Sequence, residues 1–427
     1  MPSRTSSASR PPTSSRNGPL PLTGRGSRIR PVDWLGVERI YLDHAATTPL
    51  DPEVRRAILP WLGEFFGNPS SAHGHGRRAR AAVDDARDRV ASAAGCASRE
   101  VVLTSGGTEA DNLALRGVLE RWGAERGRHL VVSAVEHEAV FATARGLAKS
   151  GRAELTVVEC DRAGRIDPAV VASAVRPDTV LVSVMLANNE VGTVQDVPAI
   201  AAAVRARNPR SLVHIDAVQA LGRLPLGLGA LGVDLLSLSA HKAYGPQGVG
   251  ALVARHGVFP AAQITGGGQE RERRSGTENV AGVVGFGVAA ELAERRRETD
   301  AAELSRLAGR LTDLLVGSVP DLEATGDPAV RLPGLCSFVV RGCRSELLLA
   351  VLDELGVSAS AGSACSSGAP YPSHVLAAMG FGDLAGSALR LSLGRSTTGA
   401  EVQAAAKRVQ VAVARVRGGG GITAASR

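Results

Sequence analysis

Aromatic side chains are scarce: Trp, Tyr and Phe together make up 3% of the 427 residues. A core must therefore be built mostly from aliphatic side chains, and Ala, Gly, Val and Arg are abundant. Long apolar runs are missing too. Nothing approaches the ~18–20 consecutive apolar residues of a membrane span. The longest candidate, Val180 to Ala187, suits a buried strand. A chain of this size buries roughly three-quarters of its unfolded surface, enough for one large domain or two. A soluble globular protein is expected.

Cysteine is sparse and unpaired in pattern. The five residues Cys96, Cys160, Cys336, Cys343 and Cys365 are odd in number, and no C-x-x-C occurs. Neither a disulfide framework nor a zinc knuckle is indicated. Free thiols suit a reducing cytosol, so a cytoplasmic location is expected. Acidic residues are nearly absent from the start of the chain. Residues 1–37 hold six Arg and one acid, Asp33, and so carry +5 of the net +7. The rest of the chain is close to neutral, which argues against a nucleic-acid groove on the folded part. The 1–37 stretch is rich in Pro, Ser, Gly and Arg and reads as a disordered extension; its prolines break the amphipathic helix of a transit peptide. Residues 418–427 read as a second disordered tail.

Between the tails, strand and helix patterns alternate. Strands are expected at Val101–Thr104, His129–Val135, Val180–Leu186, Leu212–Ile215 and Asp234–Ser239. A helix is expected over Arg77–Ala94, where Ala79, Val83, Ala86 and Val90 recur at three- and four-residue steps before Gly95. Such alternation predicts an α/β fold with a mainly parallel sheet covered on both faces. Ligands then sit beyond the carboxyl ends of the strands.

Four strand ends carry polar signatures. Ser105-Gly106-Gly107-Thr108 opens a helix, where bare N–H groups and a hydroxyl suit a phosphate dianion. Taken alone, an ordinary Gly turn with a Thr cap is the favoured reading. Glu136-His137-Glu138 follows the second strand, and a lone His is more often structural. Asp216, with Gln219 after it, terminates a buried strand, where an unpaired carboxylate is costly. Lys242 follows another strand, between His241 and a Tyr-Gly-Pro turn, and lysines desolvated in this way form Schiff bases. Together, a phosphate cup, a ring neighbour, a carboxylate and a Schiff-base lysine are what pyridoxal 5'-phosphate (PLP) needs. The carboxylate keeps the pyridine nitrogen protonated. A charge pair at ~4 Å and effective dielectric ~20 is worth about 4 kcal/mol, or about 3 pK units. By contrast, Gly227-Leu228-Gly229-Ala230-Leu231-Gly232 fits the dinucleotide fingerprint only in letters. Pro225 precedes it, a strand follows it, and no acid lies ~20 residues on.

The chain closely resembles the cysteine desulfurases, the NifS/IscS-like branch of PLP fold type I enzymes. The likeness rests on YLDHAATTPLDPEV, FGNPSSAHGHG, VVLTSGGTEADNLAL, VEHEAV, NNEVGTVQD, HIDAVQALG, LSLSAHKAYGPQGVGAL, GGGQERERRSGTENVAG, SAGSACSSG and SALRLSLGRSTT, in order from about Ile40 to Thr398. The resemblance implies a large PLP-binding domain over 52–296, and a smaller α/β domain from 38–51 and 297–417 that carries a mobile cysteine loop. It implies that Lys242 holds PLP covalently, Asp216 pairs with the pyridine nitrogen and Gln219 with the ring hydroxyl. His137 stacks on the ring and takes part in catalysis. Gly107, Thr108, Ser239 and His241 hold the phosphate, joined by Thr277 from the other subunit of a homodimer. Asn189 lies near the ring, Arg390 receives the substrate carboxylate, and Cys365 takes the sulfur.

Cys365 lies in a small-residue stretch with glycines on both sides, whereas Cys336, in LPGLCSFVV, suits burial as a small hydrophobe. The implied reaction converts L-cysteine to L-alanine and leaves a persulfide on Cys365. An iron–sulfur scaffold or sulfurtransferase would then accept the sulfur. A selenocysteine lyase and a non-catalytic sulfur scaffold are the competing readings.

Overall fold

A computed structural model describes residues 39–362 and 372–419. The expectations for residues 1–37, for Cys365 and its mobile loop, and for most of 418–427 fall outside these residues. Twelve strands occur among them: β1 Ile40–Tyr41, β2 Val101–Thr104, β3 His129–Ser133, β4 Glu154–Val158, β5 Thr179–Ser183, β6 Leu212–Asp216, β7 Leu235–Ser239, β8 Gly250–Ala254, β9 Leu322–Ala324, β10 Leu335–Val340, β11 Val357–Ser358 and β12 Ala388–Ser392.

Seven strands form the large sheet, in the order β2-β8-β7-β6-β5-β3-β4. Only β8 runs against its neighbours. Alternate side chains enter different apolar clusters: along β3, Val131 joins one, Leu130 and Val132 the other. Both faces are therefore covered, as expected of a mainly parallel sheet. The helix Gly74–Ala93 buries Ala79, Val83, Ala86 and Val90, the stripe anticipated from sequence, and Gly95 follows in a left-handed conformation. Two strands end earlier than expected, at Ser133 and Ser183, because the chain turns there into the loops that carry His137 and Asn189. The Gly227–Gly232 segment is a four-residue helix, Leu228–Leu231, leading into β7.

The remaining strands form a second group, with β12-β10-β9 antiparallel and β1 parallel to β11. These pack with the helix Gly399–Arg417 around a separate cluster that includes Leu311, Phe338, Leu352 and Val409. One helix, Val280–Val316, spans both groups: Phe286 and Ala290 enter the first core, Leu307 and Leu311 the second. The chain start is tied to its far end, since Asp43 bridges Ser392 and Ala45 N donates to Ser392 Oγ at 2.9 Å. No helix among the described residues is long and apolar enough to cross a membrane.

Candidate active site

The strands β2, β3, β5, β6 and β7 share one direction, so the turns after them meet at one edge of the sheet. A cavity of about 210 Å³ opens there. It is lined by Gly107, Thr108, His137, Asn189, Asp216, Gln219, Ser239, His241, Lys242 and Arg390, all singled out from sequence. Thr277 is exposed and does not line it.

Lys242 ends a short 3-10 turn directly beyond β7. Its Nζ donates to the carbonyls of Ala45 (2.5 Å) and Ala46 (2.8 Å). The segment after β1 therefore aims the amine as much as its own strand does. Gln219 Nε2 donates to the same Ala45 carbonyl at 3.0 Å, while its buried Oε1 has no partner. His241 faces Thr47, with Nδ1 3.2 Å from its hydroxyl; burial and the adjacent Lys242 push this imidazole down to about 4, so it is neutral at pH 7. His137 caps the helix Glu138–Lys149: its Nδ1 accepts from Ala139 N at 3.1 Å, which puts the ring proton on Nε2.

Acids cluster on the cavity floor. Asp216 closes β6 and accepts from Val218 N at 2.9 Å; burial pushes its carboxyl above the usual range, against the pull of His137 and Lys242. Asp111 was not anticipated from sequence. It lies on the helix Gly107–Arg126, 1% exposed, with ligand atoms of Asp111, His137 and Asp216 all within 4.8 Å of one another. Burial, with Asp216 nearby, raises the Asp111 carboxyl well above its ordinary value. Its neighbour His214, 3.7 Å away, is pushed by burial to about 3 and carries no compensating charge. The missed signal was Asp111's place on the buried stripe with Ala114, Leu115 and Val118.

Arg390, on β12, is almost fully enclosed. Nη1 donates to the carbonyls of Asn189 (2.9 Å) and Gly362 (2.8 Å), and Nη2 pairs with Asp43 at 2.8 Å. Nε has no partner, so one edge of the guanidinium remains for a carboxylate.

These residues fit PLP on structural grounds. Gly107 and Thr108, which open the Gly107–Arg126 helix, line the cavity, and a Cβ on Gly107 would come within 2.6 Å of Val218 Cγ2. A buried carboxylate stands ready for a cationic ring nitrogen, an unsatisfied Gln219 oxygen for a ring hydroxyl, and an amine lies across the cavity. The fold and site define a PLP-dependent enzyme, and the aminotransferase class-V family matches residues 40–405; the chain belongs to that family.

Within it, the relatives are cysteine desulfurases. The chain is 43% identical to the cysteine desulfurase IscS of Dictyoglomus turgidum, over 84% of this chain and 90% of that one. It is 42% identical to a putative cysteine desulfurase IscS 1 of Bacillus subtilis, over 89% and 100%. A solved NifS-like protein superposes with a TM-score of 0.82 at 36% identity, covering 87% of this chain and 98% of that one. A structure titled SspA in complex with cysteine gives a TM-score of 0.73 at 30% identity, over 84% and 99%. The chain is a member of the PLP-dependent cysteine desulfurases.

Proposed function

We propose that this chain converts L-cysteine to L-alanine and passes the sulfur, as a persulfide on Cys365, to an acceptor protein such as an iron–sulfur scaffold or a sulfurtransferase. The observation that carries the reading is the convergence of Lys242, Asp216, His137 and Arg390 on one cavity. PLP, when bound, supplies an electron sink for the pair left at Cα.

The chain's own residues do the rest. Lys242 would attach the cofactor, and its free amine would take the Cα proton. Asp216 holds a proton on the ring nitrogen, and Gln219 pairs with the ring hydroxyl. Gly107, Thr108, Ser239 and His241 hold the phosphate, and neutral His241 adds no charge of its own. Asn189 and His137 face the ring. Arg390 fixes the substrate carboxylate, which orients the substrate for proton removal. The Cys365 thiolate attacks the substrate sulfur; the carbon–sulfur bond breaks, a sulfur–sulfur bond forms, and the electron pair returned to the three-carbon fragment is protonated to give alanine.

A homodimer fits two features. Leu59, Leu62 and Phe66 are large apolar residues at least 56% exposed along one segment, and Thr277 is exposed and does not line its own cavity, which leaves it available to a partner's phosphate site. The division into a large domain over 52–296 and a smaller one from 38–51 and 297–417 is supported by an apolar cluster drawn only from Ile40, Leu42 and residues 304–413, while Val339, Val375 and Leu376 pack instead into the large cluster. A cytoplasmic location suits the free Cys96, Cys160, Cys336 and Cys343. The test is Cys365→Ala beside Lys242→Ala. Alanine formation is expected to collapse in both, with the absorbance of bound cofactor retained only in the first. A Cys365→Ala protein making alanine at the wild-type rate would refute the assignment.

A further inference from the structure

Glu190 plays no part in the chemistry above, yet it is one of the most enclosed carboxyls in the protein, 4% exposed beside the cavity residue Asn189. Its backbone is pinned: Asn188 Oδ1 accepts from Glu190 N at 2.8 Å and from Val191 N at 2.9 Å. Asn188 is itself held by donating to the Val135 carbonyl at 2.9 Å. The carboxyl therefore has a fixed place, and its surroundings come from both sides of Cys365 in sequence.

On one side is Ser373, 3% exposed, whose hydroxyl donates to Glu190 Oε2 at 2.6 Å and accepts from Leu376 N at 3.0 Å. On the other is Gly362. A Cβ placed on Gly362 would lie 2.9 Å from Glu190 Oε2, and its φ of +99° is one that side chains rarely adopt. Only glycine allows this close approach. Gly362 is bound in turn to the substrate site: its carbonyl accepts from Arg390 Nη1 at 2.8 Å, and its N–H donates to Ser360 Oγ at 3.1 Å. Ser360 pairs with Arg390 through both backbone groups. Arg390, His374 and His137 are the cationic or titratable groups facing the Glu190 carboxyl.

We infer that Glu190 is a positioning residue for sulfur transfer, clasping the chain before and after Cys365 to each other and, through Gly362, to Arg390. The inference rests on the proposed function. Its content is that the anchors of the sulfur-accepting segment and the receptor for the substrate carboxylate form one rigid unit. The two described flanks of that segment thereby share one reference with the substrate receptor, and misplacement of reacting groups by about 1 Å can cost ~100-fold.

The experiment compares holoenzyme carrying Glu190→Ala, Glu190→Gln or Ser373→Ala in two single-turnover measurements with L-cysteine. One follows the absorbance change of bound cofactor, which depends on Lys242. The other follows the persulfide on Cys365 by mass spectrometry. Glu190→Ala is expected to slow persulfide formation at least about ten-fold while the absorbance step stays within about three-fold. Glu190→Gln keeps an oxygen for Ser373 and retains the wild-type rate within about three-fold. Ser373→Ala reproduces part of the loss and adds little to Glu190→Ala, as expected of partners in one contact. Faster amide exchange at Leu376 in Glu190→Ala gives a readout independent of turnover.

Equal slowing of both steps, or an unchanged persulfide rate in Glu190→Ala, overturns the inference. Absence of a Cys365 persulfide in the wild-type protein overturns the proposed function instead.

Discussion

Glu136 offers a test of how the acidic floor is built. It is fully buried; its Oε1 accepts from Ser133 Oγ at 2.6 Å and Met185 N at 2.7 Å, while Oε2 has no partner. Burial, reinforced by Asp216 and opposed by those two hydrogen bonds, pushes the carboxyl from 4.5 up to about 8. The folded chain thus keeps a proton between pH 4.5 and 8 that the unfolded chain has released. In that window stability falls with rising pH, by about 1.4 kcal/mol per unit. At pH 7 the accumulated cost is roughly 3 kcal/mol, and above pH 8 roughly 5.

Glu136→Gln preserves the accepting oxygen and cannot ionise. Urea denaturation of wild-type and variant holoenzyme at pH 5, 7 and 8.5 would report the difference. The two are expected to agree within about 1 kcal/mol at pH 5, with the variant ahead by roughly 3 kcal/mol at pH 7 and more at pH 8.5. A difference independent of pH would refute the reasoning, as would a variant less stable throughout.

Two further outcomes follow from buried groups. Arg87 and Glu270 form a two-pronged buried pair at 2.6 Å each, and Glu270 also accepts from Leu103 N at 2.9 Å. Glu270→Gln, which leaves Arg87 uncompensated, should cost about 3–5 kcal/mol by denaturation midpoint, and pairing it with Arg87→Met should recover much of the loss. Burial pushes the Cys96 thiol up to about 12 and those of Cys160 and Cys336 to about 11. Iodoacetamide at pH 8 should therefore label Cys160 and Cys336 in the native protein at least about 100-fold more slowly than free cysteine, and Cys96 at least about 1000-fold more slowly, read by peptide mass spectrometry.

What sequence revealed was local. The strand ends holding Asp216 and Lys242 could be read because each pairs a short apolar run with a polar residue that has no solvated role; the turn holding Gly107 gained meaning only beside them. The antiparallel β8 was not anticipated, since a five-residue apolar run carries no sign of direction. Asp111 escaped notice because it sits one turn into its helix on a stripe that reads as apolar packing; only the fold brings it against Asp216. Asp43, Ala45 and Ala46 act through long-range contacts, two of them through backbone carbonyls that any residue would supply. The turn at Glu270, Arg271 and Glu272 is left-handed at all three residues. It contains no glycine, so composition gave no warning of it.

The carbonyls that hold Lys242 belong to a segment made well before Lys242 itself, yet that segment is seated by Ser392 and by β11, which are made well after it. On the ribosome, the amine that takes the cofactor is therefore made roughly 150 residues before the strand that steadies its surroundings. Cofactor capture becomes an act of a chain already synthesised past β12. A fragment stopped before β12 would keep its lysine and its phosphate turn but lack both the seat beneath Ala45 and Arg390.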